Sequence, residues 1–329
     1  MSLDFGVPQG SVLGPVLFTL YTTPLSGIIS KYVDVCHHLY ADDTQVYIAI
    51  TPKNATTAIP KLQSCLKDIQ SWMAENKLKL NPDKTEFIIF GSKKQQSSLK
   101  QFFPVDILGN QLNPTDKVRN LGVIFDSEFK FSSHINNTCK SCYYHIRDLA
   151  RIRGFLPKSG AITLANALVS SRIDYCNSLL NSISEQDLKK LQRVQNSLAR
   201  IVFKKSKYCH ISPLFRKLHW LPIKHRIIFK QCLLIFKTIS LGLPTYFKDI
   251  IIPYTCQTNT RRSNPEKMVL QVPAFKRSIY KSTTHFDAAF SVYGPNIWNS
   301  LPTGLRCSNT VTSFRSGLKT HLYNLAFPP

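Results

Sequence analysis

Negative charge is what this sequence has least of. Asp and Glu number 19 against 42 Lys and Arg in 329 residues, a formal net charge of +23 at pH 7. A polyanion, most often nucleic acid, is the natural counter-charge for such a chain. A solvated basic surface or an anionic lipid partner is the blander reading. A secretory signal is also missing, because Met1–Gly10 has no basic region before an apolar run and Asp4 interrupts it. No apolar stretch reaches the ~18 residues of a membrane span. Val12–Tyr21 is the longest early run and is too short, so no membrane partner is expected. Nine scattered cysteines, an odd number, do not make a disulfide framework. They fit an intracellular chain, nuclear or cytoplasmic, that uses most of them as small core residues. Internal repeats and heptad arrays are absent too, as is any compact basic targeting run.

What is present is a foldable chain, 43% hydrophobic and long enough for two or three domains. "GVPQGSVLGPVLFTLYTTPL" (Gly6–Leu25) opens as a glycine- and proline-rich loop. A helix follows on Leu13, Leu17, Leu20 and Ile28, with Pro24 expected to kink or end it. "HHLYADDTQVYIAI" (His37–Ile50) reads as strand–turn–strand. Ile59, Leu62, Leu66, Ile69 and Met73 lie on one stripe of a helix from about Thr57 to Asn76. "NPDK" (Asn81–Lys84) is a turn and Glu86–Gly91 a buried strand. Val105–Leu112 is a hairpin around Gly109-Asn110, and Val118–Asp126 is another strand.

Beyond that point amphipathic helices take over. One carries Ile135, Cys139, Cys142, Ile146 and Leu149 on its apolar face; others span Ser159–Cys176 and Ser184–Phe203. Ser184 and Asp187 form a capping pattern. Lys189, Lys190, Arg193, Arg200, Lys204 and Lys205 fall largely off the apolar stripe and predict a basic outer face. A long apolar helix, about Lys224–Leu241, precedes a Pro-, Thr- and Arg-rich stretch (Pro253–Pro265). A basic helix near Ser313–Leu325 closes the chain.

Two stretches carry chemistry. Asp42 and Asp43 put two carboxylates at one hairpin tip. The plain reading is a solvated turn. The functional one is a Mg²⁺ site, because hard oxygens from one or two carboxylates plus substrate phosphates suit that ion. Gly6 and Gly10 remove side chains from the first loop, so a ligand can lie against its backbone, with Gln9 offering a donor and an acceptor. His134, Cys139, Cys142 and His145 have a metal-like spacing. Cys139 and Cys142 nevertheless fall on the apolar stripe, where a core role is expected.

Taken together, "GVPQGSVLGPVLF" followed some thirty residues later by "YADD" resembles motifs B and C of a reverse transcriptase palm. "WMAENKLKLNPDKTEFIIFG" (Trp72–Gly91) resembles motif D, and "VRNLGVIFD" resembles the primer-grip motif E. "LHWLPIKHRI" (Leu218–Ile227) and "WNSLP" (Trp298–Pro302) resemble the downstream region of LINE-type (non-LTR) retrotransposon polymerases. The fold this implies is α+β. A partial palm, an antiparallel sheet with helices, covers 1–130; a helical thumb-like module covers 131–206; a mostly helical tail covers 207–329.

The implied chemistry is Mg²⁺-dependent nucleotidyl transfer from deoxynucleotides onto a DNA primer along an RNA template. Asp42 is implied as the main metal ligand, with Asp43 beside it. Tyr40 and Ala41 would line the nucleotide and primer-end pocket, while Gly6, Gln9, Gly10 and Ser11 would meet template and nucleotide. Lys84 would protonate leaving pyrophosphate, unless it is only a solvated turn lysine. Leu121 and Gly122 would shape the primer grip.

The sequence departs from the family in lacking the motif A aspartate on an upstream strand. Asp4 abuts motif B, and Asp34 matches no such pattern. The fingers and the amino-terminal endonuclease have no counterpart either. The expectation is therefore a carboxy-terminal part of a longer polymerase, amino-terminally truncated, with an incomplete metal site and little activity alone. The alternatives are a non-catalytic nucleic-acid-binding protein or a relic of a retroelement.

Overall fold

The computed structural model describes residues 10–107, 109–254, 268–273 and 289–328. Two compact units divide the chain. The first runs to Arg119 and includes Asp126–Phe129; the second takes Asn120–Phe125 and everything from Lys130 on. Helices dominate, and the pairings within the first unit are short antiparallel hairpins, an α+β composition.

In the first unit, helix α1 (Gly14–Ile29) begins with Pro15 in its first turn, where a missing N–H is harmless. Pro24, expected to kink or end the helix, does not end it, since α1 continues past it to Ile29. Leu25 and Ile29, beyond the proline, are buried in one cluster with Cys65 and Ile69 of α2 (Ala55–Glu75). Burying two such side chains contributes roughly 3–6 kcal/mol, enough to offset the ~3 kcal/mol cost of an interior proline. The leucines picked out by spacing are not the buried ones. Leu13, Val16, Leu17 and Leu20 share one face, and that face is exposed.

The stripe of α2 matches expectation more closely, with Ile59, Leu62, Cys65 and Ile69 buried. Strands β1 (Val35–Tyr40) and β2 (Asp43–Ile48) pair antiparallel from Val35 opposite Ile48 to Tyr40 opposite Asp43. Strands β3 (Val105–Ile107) and β4 (Asn110–Leu112) form the second hairpin. Asn110, expected in its turn, is already paired with Ile107. Glu86–Gly91, expected as a buried strand, has no ladder. It makes a single bridge at Ile88 to Thr115, and the Phe87 carbonyl accepts from the Thr115 amide at 2.7 Å. Its apolar residues Phe87 and Ile89 are only half-buried against a small cluster, so backbone partners are found at points rather than along a row. A helix absent from the sequence reading, α3 (Lys93–Leu99), is started by a reciprocal Ser92–Gln95 cap.

The division between the units falls within a pair of short strands, β5 (Lys117–Asn120) and β6 (Val123–Asp126). This corrects the single strand expected over Val118–Asp126. Leu121 and Gly122 take positive φ values of 44° and 81° and break it with a turn.

The second unit is helical: α4 (Ser132–Ile152), α5 (Lys158–Ala165), α6 (Ser171–Asp174), α7 (Glu185–Val202), α8 (Ser212–Leu218), α9 (Ile223–Leu241), α10 (Phe290–Asn299), α11 (Thr303–Arg306) and α12 (Val311–Ala326). Residues 131–206 and 207–329, expected as module and tail, share this unit and contain two apolar clusters. One gathers α4, α5 and α7; the other gathers α9, α10 and α12. The helix expected over Ser159–Cys176 is interrupted by one wide π-helical turn at Asn166–Ser170 and stops at Asp174. Buried Arg153 donates from Nε and Nη2 to the Val202 carbonyl at 3.1 and 2.7 Å, and from Nη1 to Leu156 at 2.8 Å. A cation thereby satisfies a carbonyl at the end of α7.

The basic outer face of α7 is smaller than its sequence implies. Arg200 is spent on the Cys209 carbonyl, and Lys190 on Asp187 at 2.8 Å and Asn136 at 3.0 Å. Asp187 itself caps α7 with Ser184 and accepts from Ser132 Oγ at 2.6 Å. Burial pushes its pKa up, yet hydrogen bonds from Lys190, Ser132 and Ser184 outweigh burial and hold it below the ordinary value. Its ionised form therefore stabilises the unit above about pH 4, the unfolded value. That contribution is lost as pH falls through the lower folded value. Asp187→Asn is expected to cost about 1–3 kcal/mol at pH 7 and to flatten the loss of stability below pH 4. Acid titrations followed by circular dichroism test this; identical acid limbs for both proteins would refute it.

Candidate metal centre at the hairpin tip

The β1–β2 hairpin closes with a two-residue loop, Ala41-Asp42, since Tyr40 already faces Asp43 in the ladder. Ala41 takes φ +51°, a left-handed conformation where glycine would be unstrained. The strain is roughly 1–2 kcal/mol, of the kind that collects where a backbone must aim side chains. The other end of the hairpin is fixed. Val35, Val46 and Ile48 pack with Leu25, Ile29, Cys65 and Ile69, and His37 Nε2 lies 2.8 Å from Ser26 Oγ on α1. On the neighbouring face His38 and Tyr47 stack with centroids 5.5 Å apart. The core thus holds the base while the tip projects.

At that tip Asp42 and Asp43 are both exposed, and neither side chain has an ion pair or hydrogen bond among the described residues. Adjacent carboxylates repel, and a cation relieves the repulsion. Their free oxygens fit Mg²⁺, which takes one or two carboxylates and fills its remaining positions with water or phosphate. Among the described residues no group of three His, Cys, Asp or Glu is placed to hold an ion. Asp34 sits at the opposite end of β1, about 20 Å of strand away, with φ 72° and an ion pair to Lys61 at 3.4 Å.

The remaining candidates are dispersed. Tyr40 is 63% exposed beside the tip. Gly10 has φ +92°, and a Cβ built there would meet nothing within 4 Å among the described residues. Ser11 is half-buried and its carbonyl accepts from the Gly14 amide at 3.3 Å. Gly6 and Gln9 lie outside the described residues, as do Asp4 and most of Pro253–Pro265. Lys84 is exposed at the end of a 3₁₀ turn (Pro82–Lys84), and no described bond joins it to Asp42 or Asp43.

Leu121 and Gly122 belong to the second unit. There the Tyr175 hydroxyl donates to the Leu121 carbonyl at 2.6 Å, and the Tyr175 ring lies 3.4 Å from where a Gly122 Cβ would stand. Nothing in the sequence marked Tyr175, which stands 54 positions away. In the Cys/His group, Cys142 is fully buried with its thiol pushed up to about 12 by burial, and His134 Nδ1 accepts from the Ile124 amide at 3.4 Å.

Residues 3–125 match the family model described as reverse transcriptase (RNA-dependent DNA polymerase). The chain is 27% identical over 171 residues, 48% of its length, to a probable RNA-directed DNA polymerase from transposon BS of Drosophila melanogaster. It is 26% identical over 209 residues, 60% of its length, to the RNA-directed DNA polymerase from mobile element jockey of Drosophila funebris. Against the jockey polymerase of Drosophila melanogaster the identity is 30% over 138 residues, 40% of the chain. These matches span 17%, 22% and 14% of the respective relatives. No solved structure matches the chain.

Proposed function

We propose, from the premise that residues 3–125 are a reverse transcriptase segment of the non-LTR retrotransposon kind, that Asp42 and Asp43 are its metal-binding acids. The whole chain would then serve RNA-directed DNA synthesis. The observation that carries this reading is the pair of unpartnered carboxylates on a strained two-residue tip, inside the matched segment. Bound Mg²⁺ would supply Lewis-acid activation and charge neutralisation at the reacting phosphate.

The chain's own contribution is placement. The rigid base holds the tip, and Ala41 turns the two acids outward. Tyr40 offers a ring and a hydroxyl beside the nucleotide. Gly10 and Ser11, with Gly6 and Gln9 before them, offer backbone against template and nucleotide. Lys84, solvated on its turn, can deliver a proton to the departing pyrophosphate. Leu121 and Gly122, braced by Tyr175, would bear on the primer strand. A further acid, from a segment in cis or in trans, is part of this reading, and the 329 residues by themselves would be a weak catalyst.

The second unit would hold the RNA template and the RNA–DNA hybrid through phosphate contacts. Exposed Lys189, Arg193, Lys204 and Lys205 support this role. Hybrid binding is accordingly expected to weaken by about 10³-fold between about 50 and 200 mM salt, as for a protein with six or more phosphate contacts. Fluorescence anisotropy with a labelled RNA–DNA hybrid measures it. An affinity insensitive to salt would sink the proposed role.

A further inference from the structure

The second unit contains a cleft of about 580 Å³ that the hairpin chemistry does not use. Its walls come from α9, α12 and the segment 218–221 that joins α8 to α9, with Asn166 at the π-helical turn and Asp174 at the end of α6. Arg226 and Lys230 stand four residues apart on α9, and Arg315 and Lys319 four apart on α12. Each spacing puts two cations on one helix face, where like charges repel.

Nothing in the cleft neutralises them all. Asp174 is its one carboxylate, and both its oxygens are engaged by Arg226, from Nε at 2.8 Å and from Nη2. Lys230, Arg315 and Lys319 remain exposed, without an ion pair among the described residues. Asn166 adds a donor: its Oδ1 accepts from Ser170 Oγ at 3.3 Å, which leaves Nδ2 free. The chain around them gives no relief, since no Asp or Glu occurs between Asp187 and Asp249 or after Asp287.

We infer that this cleft is an anion site for the phosphodiester backbone of a single-stranded nucleic acid. Three uncompensated cations in two facing rows match a run of phosphates better than a single charge. A guanidinium fork among them suits phosphate oxygens. The inference rests on the reading that the chain handles nucleic acid, and it locates one contact that the motifs do not assign.

The test is anisotropy with a fluorescein-labelled single-stranded RNA, comparing the full chain with a Lys230→Gln/Arg315→Gln/Lys319→Gln variant. All three side chains are exposed, so the fold should persist, and circular dichroism checks this. At about 50 mM salt the variant is expected to bind at least ~10-fold more weakly, with the log–log salt slope reduced by about 2. Lys67→Gln/Lys93→Gln/Lys94→Gln, which removes three exposed cations of the first unit, serves as the control for net charge.

Equal losses in both variants would overturn the assignment to the cleft. Unchanged binding in the cleft variant overturns it too, while leaving the polymerase reading intact. If the wild-type chain binds no RNA, both fall. Sedimentation with phosphatidylserine vesicles is the remaining arm. Loss of vesicle binding with RNA binding retained would assign the cleft to a lipid headgroup and overturn the inference.

Discussion

Asp42→Asn is expected to abolish primer extension, with a loss of about 10³-fold or more. The assay needs RNA template, DNA primer, deoxynucleotides, Mg²⁺ and the 329-residue chain co-expressed with an upstream palm segment bearing an acidic strand. A carboxylate that fixes a catalytic cation supplies several kcal/mol to a charged transition state, and each 1.36 kcal/mol is a decade of rate. The side chain is exposed and unpartnered, so the amide replaces it without disturbing packing. Asp43→Asn should lose less. The chain alone is expected to extend primers near background, because the two tip acids have no third partner among the described residues. Robust extension by the chain alone would refute the need for a further acid. Extension that survives Asp42→Asn would refute the site.

The largest stability effect is expected from Trp298→Ala, about 3–5 kcal/mol. Trp298 is fully buried, and its indole N–H donates to the Met268 carbonyl at 2.7 Å. Its ring centroid lies 5.6 Å from that of Phe314 and 6.4 Å from that of Phe236, which stack on each other at 4.2 Å. Truncation leaves a void among α9, α10 and α12 and removes the shorter of the two hydrogen bonds to the Met268 carbonyl, leaving Arg306 Nη1 at 3.3 Å. Thermal or urea unfolding followed by fluorescence measures the loss. A change under 1 kcal/mol would mean that this cluster collapses around the gap.

The neighbouring Asn299 shows why "WNSLP" reads as a structural phrase. Its side chain donates to the Leu270 carbonyl and accepts from the Leu270 amide, at 2.9 and 2.8 Å. Such a reciprocal tie holds a distant backbone segment against the end of α10.

Legibility in the sequence followed the strength of the local signal. Helices α2, α4 and α7 were readable because their apolar residues recur at three and four over many turns. Their buried stripes fall largely where that spacing places them, and Ser184 caps α7 as its pattern with Asp187 implies. The two acids were readable as a hairpin tip because alternating residues flank them. Where one residue decided the outcome, spacing failed. Pro24 could not announce that Leu25 and Ile29 would be buried beyond it. Val118–Asp126 carries strand-forming residues at both ends, but the left-handed turn at Leu121-Gly122 cuts it in two. Glu86–Gly91 is apolar enough for a strand but acquires no ladder partner. Lys190 and Arg200 looked solvated because a sequence does not record which carbonyl a long side chain will find. The cleft cations were invisible for a related reason, since Arg226 on α9 and Arg315 on α12 are brought to one cleft by tertiary packing alone.

The wide turn at Asn166–Ser170 amounts to a helix with one residue too many, and it bears on how this chain can drift in length. Deleting Ala167 would regularise the helix and rotate all that follows on it by about 100°. Asp174, which follows the turn, would then leave Arg226. Related chains that lose a single residue here should keep a helix yet lose the Asp174–Arg226 contact, so a census of insertions and deletions along such chains would record what this turn is for.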